Sequence, residues 1–320
     1  DFRGIRFLHL LPNSYIYNKI AHGEFDVIVV YLHGVLTKIV SNAPRRQRTI
    51  AYLHADMSES PFIKSFGSIS NLRRCFSSYD AIVSVSKNVQ DSFQRVSGIS
   101  ERLYVKYNTF NVADIIAKSK EPLADIQKGK NLTNICSVGK LEPVKGYARL
   151  LRIMKRLKDE RFQFRLTVVG EGSQRAELEE YIKKNGLEKE ISLVGYDQNP
   201  YKYIAQSDLF VCSSFSEGFS SVVVESIILG TPVIATDCSG MREILGDFSE
   251  YGIITENSDE GLYTELKGII NDRPKIDYFS KKAKERASFF NTRKSVREVE
   301  KLIESMVNQN IGFCPKLRRN

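Results

Sequence analysis

Glu217 and Glu225, with seven residues between them, are the acidic pair in this sequence best placed to act on a polyhydroxylated ligand. Ionised carboxylates accept strong hydrogen bonds from sugar and ribose hydroxyls. The stretch that carries them, Ser214 to Thr236, reads as a loop, then a helix, then a strand. Leu209–Ser213, just before it, is a short apolar run of strand type. Gly218-Phe219-Ser220-Ser221 supplies a flexible glycine and hydroxyl caps for a helix that opens near Ser220 and ends at Gly230, ahead of Pro232. A strand, a glycine-bearing turn and a helix N-terminus together form an anion site, because the first-turn N–H groups are unpaired and the positive end of the dipole faces the loop. Two ordinary surface glutamates on an amphipathic helix are the competing reading. Val222–Val224 and Ile227–Leu229 bracket Glu225 and argue against it, since a carboxylate in an apolar helix needs partners.

Lys140 and Lys145 follow the strand-like run 133–138, with Gly139 and Gly146 allowing close backbone approach. Two ammonium groups there suit a diphosphate as point charges. By residue type alone two surface lysines are the plainer reading, and their place at a strand end counts for the ligand. His54 ends the strand 49–53 and precedes Asp56. A neutral imidazole there can hydrogen-bond a sugar hydroxyl or stabilise developing positive charge, the alternative being a satisfied structural histidine. His33, also after a strand, is a weaker rival, and His9 and His22 look incidental.

The elements that must position these groups alternate. Strands are expected at 26–32, 49–53, 80–85 and 103–107 in the first half, with helices at 35–39, 61–76 and 87–96. The second half repeats the pattern, with strands at 133–138, 164–169, 191–194, 209–213, 232–236 and 252–255. Its helices start near Gly146, Ser173, Pro200, Ser220, Gly240 and Asp259, and a helical tail runs from Tyr278 to Val307. Alternation of this kind implies parallel α/β sheets with ligands at strand C-terminal ends. The polar, aperiodic stretch 117–130 reads as the linker, which gives domains at 1–120 and 121–287 and a tail at 288–320.

The 320 residues can hold two ordinary domains, and no apolar run is long enough to span a bilayer. Five dispersed cysteines (Cys75, Cys136, Cys212, Cys238, Cys314) without paired spacing fit a reducing compartment, the cytosol, and no zinc. The net charge of +9 is uneven: 16 basic against 9 acidic residues give +7 over 1–120, 24 against 26 give −2 over 121–287, and 7 against 3 give +4 in the tail. A basic first domain and tail suit attraction to an anionic surface such as a membrane or a pyrophosphate-linked acceptor, with a generic solvated surface as the alternative. No nucleic-acid partner is expected.

With Gly230-Thr-Pro-Val-Ile-Ala-Thr236 behind it, the Glu217…Glu225 pair resembles the signature of family 4 (group 1) retaining glycosyltransferases of GT-B fold, of the bacterial surface-polysaccharide type. Ser137-Val-Gly-Lys140 through Lys145-Gly146 is similar to that family's donor-diphosphate loop, and Val168-Val-Gly170-Glu-Gly172 to its next strand end. The similarity runs from about Asp80 to about Asp272. The resemblance implies two Rossmann-like domains facing across a cleft, with the tail crossing back to the first. Glu225 would hold ribose hydroxyls and Glu217 the donor hexose side. The backbone amides of Gly218, Phe219, Ser220 and Ser221 would face sugar and phosphate, while Gly195 and Tyr196 would read the base. His54 falls where the family has a histidine near the reacting sugar. Where the family often has Arg, Lys140 keeps the charge but loses the bidentate fork. Family members usually begin with a strand and a Gly-rich loop, so the first domain is expected to lack some tens of residues at its start.

The expected activity is metal-independent transfer of a hexose from a nucleotide diphosphate sugar, UDP-linked, to a saccharide or polyprenyl-pyrophosphate-linked acceptor, with no cofactor. No Asp-x-Asp is present, the usual metal-holding device of the GT-A class. The setting would be the cytoplasmic side of the cell membrane, with peripheral contact through the basic first domain. No side chain is an evident nucleophile, and the resemblance implies front-face attack assisted by the leaving phosphate. A non-catalytic nucleotide-sugar binding or partner module is the alternative. A Rossmann oxidoreductase fits poorly, because Val169-Gly-Glu-Gly-Ser-Gln174 has only the first two glycines of the dinucleotide fingerprint.

Overall fold

Strand and helix alternate along most of the chain, and a helix between two strands returns the second strand parallel to the first. The computed structural model describes residues 12–21, 23, 25–44, 47–57, 62–123 and 132–311. His9, His22, Cys314 and residues 124–130 of the linker read from the sequence lie outside these residues.

Two compact units emerge, one of residues 1–108 with 293–320 and the other of residues 109–292. The first holds β1 (Val27–Val30), β2 (Arg48–Leu53), β3 (Ala81–Ser84) and β4 (Leu103–Val105) in one parallel sheet, in that order. Its helices are α1 (Asn13–Ile20), α2 (Val35–Val40), α3 (Phe62–Phe66), α4 (Ile69–Ser77) and α5 (Lys87–Ser97). The single helix expected over 61–76 is two. Gly67 at φ +76° breaks it, and Ser68 restarts it as an N-cap whose Oγ accepts from the Asn71 N–H.

The second unit opens with α6 (Val112–Lys118), which the polar composition around it hides. Asn111 caps α6, and the helix packs on α9 (Tyr201–Ala205) and α10 (Ser221–Leu229). The division therefore falls at 108/109 rather than at 120. The strands are β5 (Thr133–Val138), β6 (Phe164–Val169), β7 (Ile191–Gly195), β8 (Leu209–Cys212), β9 (Val233–Thr236) and β10 (Ile253–Thr255). Helices α7 (Tyr147–Asp159), α8 (Arg175–Lys184), α11 (Met241–Leu245), α12 (Asp259–Ile269) and α13 (Arg273–Ala287) complete the alternation. The tail is α13 followed by a separate α14 (Thr292–Ile311), with a break at 288–291 inside the expected 278–307 helix. Lys106 and Glu298 tie α14 to the end of β4 at 3.2 Å.

The sheet order in the second unit is β10-β9-β8-β5-β6-β7, all parallel. From β5 the chain winds outward through β6 and β7, then jumps back beside β5 to start β8 and winds out the other way. The strand order reverses between β5 and β8, and in such sheets ligands bind in the crevice at the strand C-terminal ends of that switch point. Ile135, Leu166, Leu209, Val211 and Ile234 from the strands pack with Leu150, Met154, Leu157, Leu262 and Leu266 from α7 and α12 in a buried core.

Candidate functional site

The crevice is floored by backbone that tolerates no side chain. Register pairs Val138 with Val169, so Gly139 and Gly170 leave the sheet side by side. A Cβ on Gly170, which has φ +154°, would stand 1.9 Å from the Gly139 carbonyl oxygen. Gly146, at φ +69°, would place one 2.1 Å from the Ser213 carbonyl oxygen. Pro143–Lys145 forms one 3-10 turn ahead of Gly146, and α7 starts directly after it. The loop after β5 is thus pressed against the turn after β8.

Lys145 and Glu217 close that junction. Lys145 Nζ donates to Glu217 Oε1 at 2.7 Å, and Ser214 Oγ donates to the same oxygen at 2.6 Å. The Glu217 side chain is 11% exposed and that of Lys145 27%. Ser213 Oγ donates to the Lys145 carbonyl at 2.9 Å, and the Phe215 N–H to the Val144 carbonyl at 2.8 Å. The Lys145 stem passes 3.9 Å from where a Cβ on Gly139 would stand. Lys140, by contrast, is exposed.

Behind the turn lies Arg149, 1% exposed and unforeseen in the sequence. Its Nε and Nη2 donate to the Ser213 carbonyl at 2.8 and 2.5 Å, and Nη2 also to the Ser214 carbonyl at 2.8 Å. Nη1 donates to Asn257 Oδ1 at 2.9 Å, and the guanidinium lies 3.9 Å from the Phe215 ring centroid. The only sequence signal was an arginine inside the otherwise apolar face Tyr147, Leu150, Leu151.

Ser220 is the N-cap of α10, as its position predicts, but its hydroxyl makes no capping bond. Its Oγ is buried without a hydrogen-bond partner. Gly218, Phe219 and Ser220 are buried and Ser221 is exposed. The Gly218 carbonyl oxygen would stand 2.7 Å from a Cβ on Gly240, at φ +81°. Glu225, half-buried on the same helix, has its carboxyl pushed up to about 7 by desolvation. The Tyr201 phenol is raised by burial and then by the Glu225 charge.

Tyr201 also lines a cavity of about 690 Å³ at the C-terminal ends of β5, β6 and β7. Lys140, Glu142, Glu171, Tyr196 and Asp197 are among its other walls, with the edges of Gly139, Gly170 and Gly172. Tyr196 is 74% exposed at the mouth. Gly195, at φ +84°, lies behind the wall, where a Cβ would meet Glu171 Oε1 at 3.0 Å. Glu142 is held below the usual carboxylate range by Ser173, whose Oγ donates to it at 2.7 Å. The second unit therefore gathers Gly139, Lys140, Lys145, Gly195, Tyr196, Glu217, Gly218, Phe219, Ser220, Ser221 and Glu225 around one end of its sheet.

His54 belongs to the first unit, where it follows β2 beside the end of β1. Its ring centroid lies 4.7 Å from Tyr31, 6.0 Å from Tyr52 and 6.3 Å from His33. The His54 N–H donates to His33 Nδ1 at 3.3 Å. Burial lowers both imidazoles, and His54 lowers His33 further, so both favour the neutral form. His54 Nε2 is buried without a hydrogen-bond partner. Cys75, Cys136 and Cys212 are buried free thiols and Cys238 is partly exposed. No helix of the described residues is long and apolar enough to cross a membrane.

Comparison with known proteins agrees on the family. An N-acetylgalactosamine-N,N'-diacetylbacillosaminyl-diphospho-undecaprenol 4-alpha-N-acetylgalactosaminyltransferase of Campylobacter jejuni is 35% identical over 227 residues, 70% of this chain and 60% of that protein. The amylovoran biosynthesis glycosyltransferase AmsD of Erwinia amylovora is 32% identical over 137 residues, 42% of this chain and 38% of that one. The chain thus spans less than two thirds of the length of either relative. Among solved structures, Anabaena HepE in complex with UDP-glucose superposes with a TM-score of 0.75 at 22% identity, over 93% of this chain and 83% of that one. That likeness shows the α/β GT-B fold expected from the sequence. The model of the family "Glycosyl transferases group 1" matches residues 120–286, and the chain belongs to that family.

Proposed function

We propose that this protein is a retaining glycosyltransferase that moves a hexose from a UDP-linked donor to a saccharide or polyprenyl-diphosphate-linked acceptor. The observation that carries the proposal is the Lys145–Glu217 pair at the junction of the β5 loop and the β8 turn, where the crevice meets the start of α10. A donor diphosphate laid there takes the Lys145 ammonium from Glu217. It also meets Lys140, the unpaired first-turn N–H groups of α10 and the free Ser220 hydroxyl. Fixed cations and helix dipole then neutralise the charge that grows on the leaving diphosphate, without a metal or other cofactor. Glu217, released from Lys145, faces the donor sugar, and Glu225 takes the ribose hydroxyls once it is ionised. The cavity beside Gly139, Gly195 and Tyr196 receives the base, with Tyr201 closing the side nearest Glu225. In the first unit, His54 offers a neutral imidazole with a free Nε2 to a sugar hydroxyl at the ends of β1 and β2. The acceptor attacks from the face the diphosphate leaves, assisted by its oxygen.

The Campylobacter relative's name gives a diphospho-undecaprenol acceptor, and the +7 charge over residues 1–120 suits an anionic membrane face. We therefore place the protein at the cytoplasmic side of a membrane, held peripherally, in surface-polysaccharide assembly. Release of UDP from UDP-N-acetylgalactosamine, UDP-glucose and UDP-N-acetylglucosamine, with and without an undecaprenyl-diphosphate saccharide, is the test. Wild-type protein should turn over one donor, while Glu217→Ala and Lys145→Ala should not. Equal turnover by all three proteins refutes the site, and tight UDP binding without any turnover supports a non-catalytic binding module instead.

A further inference from the structure

Among the described residues, Arg149 is the largest side chain buried completely. An arginine taken out of water is normally matched by a carboxylate. Among the described residues no carboxylate forms an ion pair with Arg149. Its hydrogen bonds go instead to neutral oxygens: the Ser213 and Ser214 carbonyls, Asn257 Oδ1 and, at 3.3 Å, Thr236 Oγ1. A planar fork meets several acceptors at once, so the guanidinium fixes the two peptide planes that follow β8.

We propose that Arg149 is a positioning residue for the donor diphosphate, resting on the reading that Lys145 grips it. The route from one to the other is a closed ring of hydrogen bonds. Arg149 holds the Ser213 carbonyl, Ser213 Oγ holds the Lys145 carbonyl, and Lys145 Nζ meets Glu217. Glu217 in turn accepts from Ser214 Oγ, and the Ser214 carbonyl returns to Arg149. Gly146 lets the ring close, since any side chain there would strike both the Ser213 oxygen at 2.1 Å and Arg149 Nε at 2.9 Å. Phe215 covers the open face of the guanidinium and keeps water from competing for its donors. Without the fork, the turn after β8 and the backbone of Lys145 are no longer held in register, and the ammonium loses its fixed place. None of Lys145, Arg149, Ser213, Ser214 and Glu217 lines the cavity assigned to the base.

Affinity for UDP and for uridine, which lacks the diphosphate, separates positioning from simple loss of structure. Both are measured by calorimetry on the full chain for wild type, Lys145→Ala, Arg149→Lys, Arg149→Met and Asn257→Ala, with thermal midpoints alongside. Arg149→Lys, which keeps charge but not the fork, should bind UDP about tenfold more weakly and uridine within about twofold of wild type. Arg149→Met should lose at least as much, and Asn257→Ala, which frees only Nη1, should lose less. If Arg149→Met does not fold, Arg149→Lys and Asn257→Ala decide. Lowered midpoints with unchanged UDP affinity in Arg149→Lys and Asn257→Ala overturn the proposal. If Lys145→Ala weakens UDP binding and the Arg149 variants do not, only the role of Arg149 fails. If Lys145→Ala also binds like wild type, the donor-site reading fails with it.

Discussion

Replacing Glu225 by Gln removes one titrating group from the site and keeps its shape. The carboxyl has its proton affinity moved from the ordinary 4.5 to about 7 by burial on α10. A raised acid means that the folded state holds the proton more tightly than the unfolded chain does. Stability is therefore present in full below about pH 4.5 and is lost as pH climbs through about 7, where the folded group must ionise in an apolar setting. Each pH unit of the difference is worth about 1.4 kcal/mol, so the ceiling is about 3 kcal/mol, and partial solvent contact reduces it to about 2 kcal/mol. Glu225→Gln should match wild type in urea unfolding at pH 5 and exceed it by about 2 kcal/mol at pH 8. Wild-type and variant stabilities that run parallel from pH 5 to pH 8 would refute the reasoning. The same variant should bind UDP about tenfold more weakly at pH 8, because a neutral amide accepts ribose hydroxyls less strongly than a carboxylate.

Lys145→Ala should weaken UDP binding by one to two orders of magnitude and also cost about 1–3 kcal/mol of stability, since Glu217, 11% exposed, is left with Ser214 Oγ alone; calorimetry and urea unfolding read the two effects. Gly170→Ala should cost more than about 2 kcal/mol, because its Cβ would lie 1.9 Å from the Gly139 oxygen and one loop must move. Thermal unfolding with UDP titration should show both lower stability and weaker binding. His54→Gln should lower sugar transfer while leaving UDP affinity within about twofold, and a drop in UDP affinity as large as that of Lys145→Ala would contradict its assigned role at a sugar hydroxyl.

Strands were the easiest part to read from the residues. The runs 133–138 and 164–169 match β5 and β6 end to end, because each is a short run rich in β-branched and apolar residues that a glycine, Gly139 or Gly170, stops at its C-terminal end. Helix breaks were harder. Gly67-Ser68 looks like one glycine inside a helical stretch, and only the geometry shows that Ser68 restarts the helix as a cap. The helix Val112–Lys118 was missed because seven residues give too little periodicity against a polar neighbourhood. Among the candidate site residues, both glutamates were singled out by type and spacing, and both lysines by their place after a strand together with the family resemblance, since by type alone they read as surface lysines. That Lys145 spends its charge on Glu217 is invisible in a sequence that separates them by 72 positions. Arg149 was hidden for the opposite reason: its partners are backbone carbonyls, which carry no sequence signature.

A crystal structure of the protein with UDP bound tests the central claim most directly. The account predicts phosphate oxygens within about 3 Å of Lys145 Nζ and of the first N–H groups of α10, with the uracil in the cavity beside Tyr196 and the Lys145–Glu217 bond opened. UDP lying elsewhere, with Lys145 still joined to Glu217 and the ends of β5 and β8 empty, would contradict it.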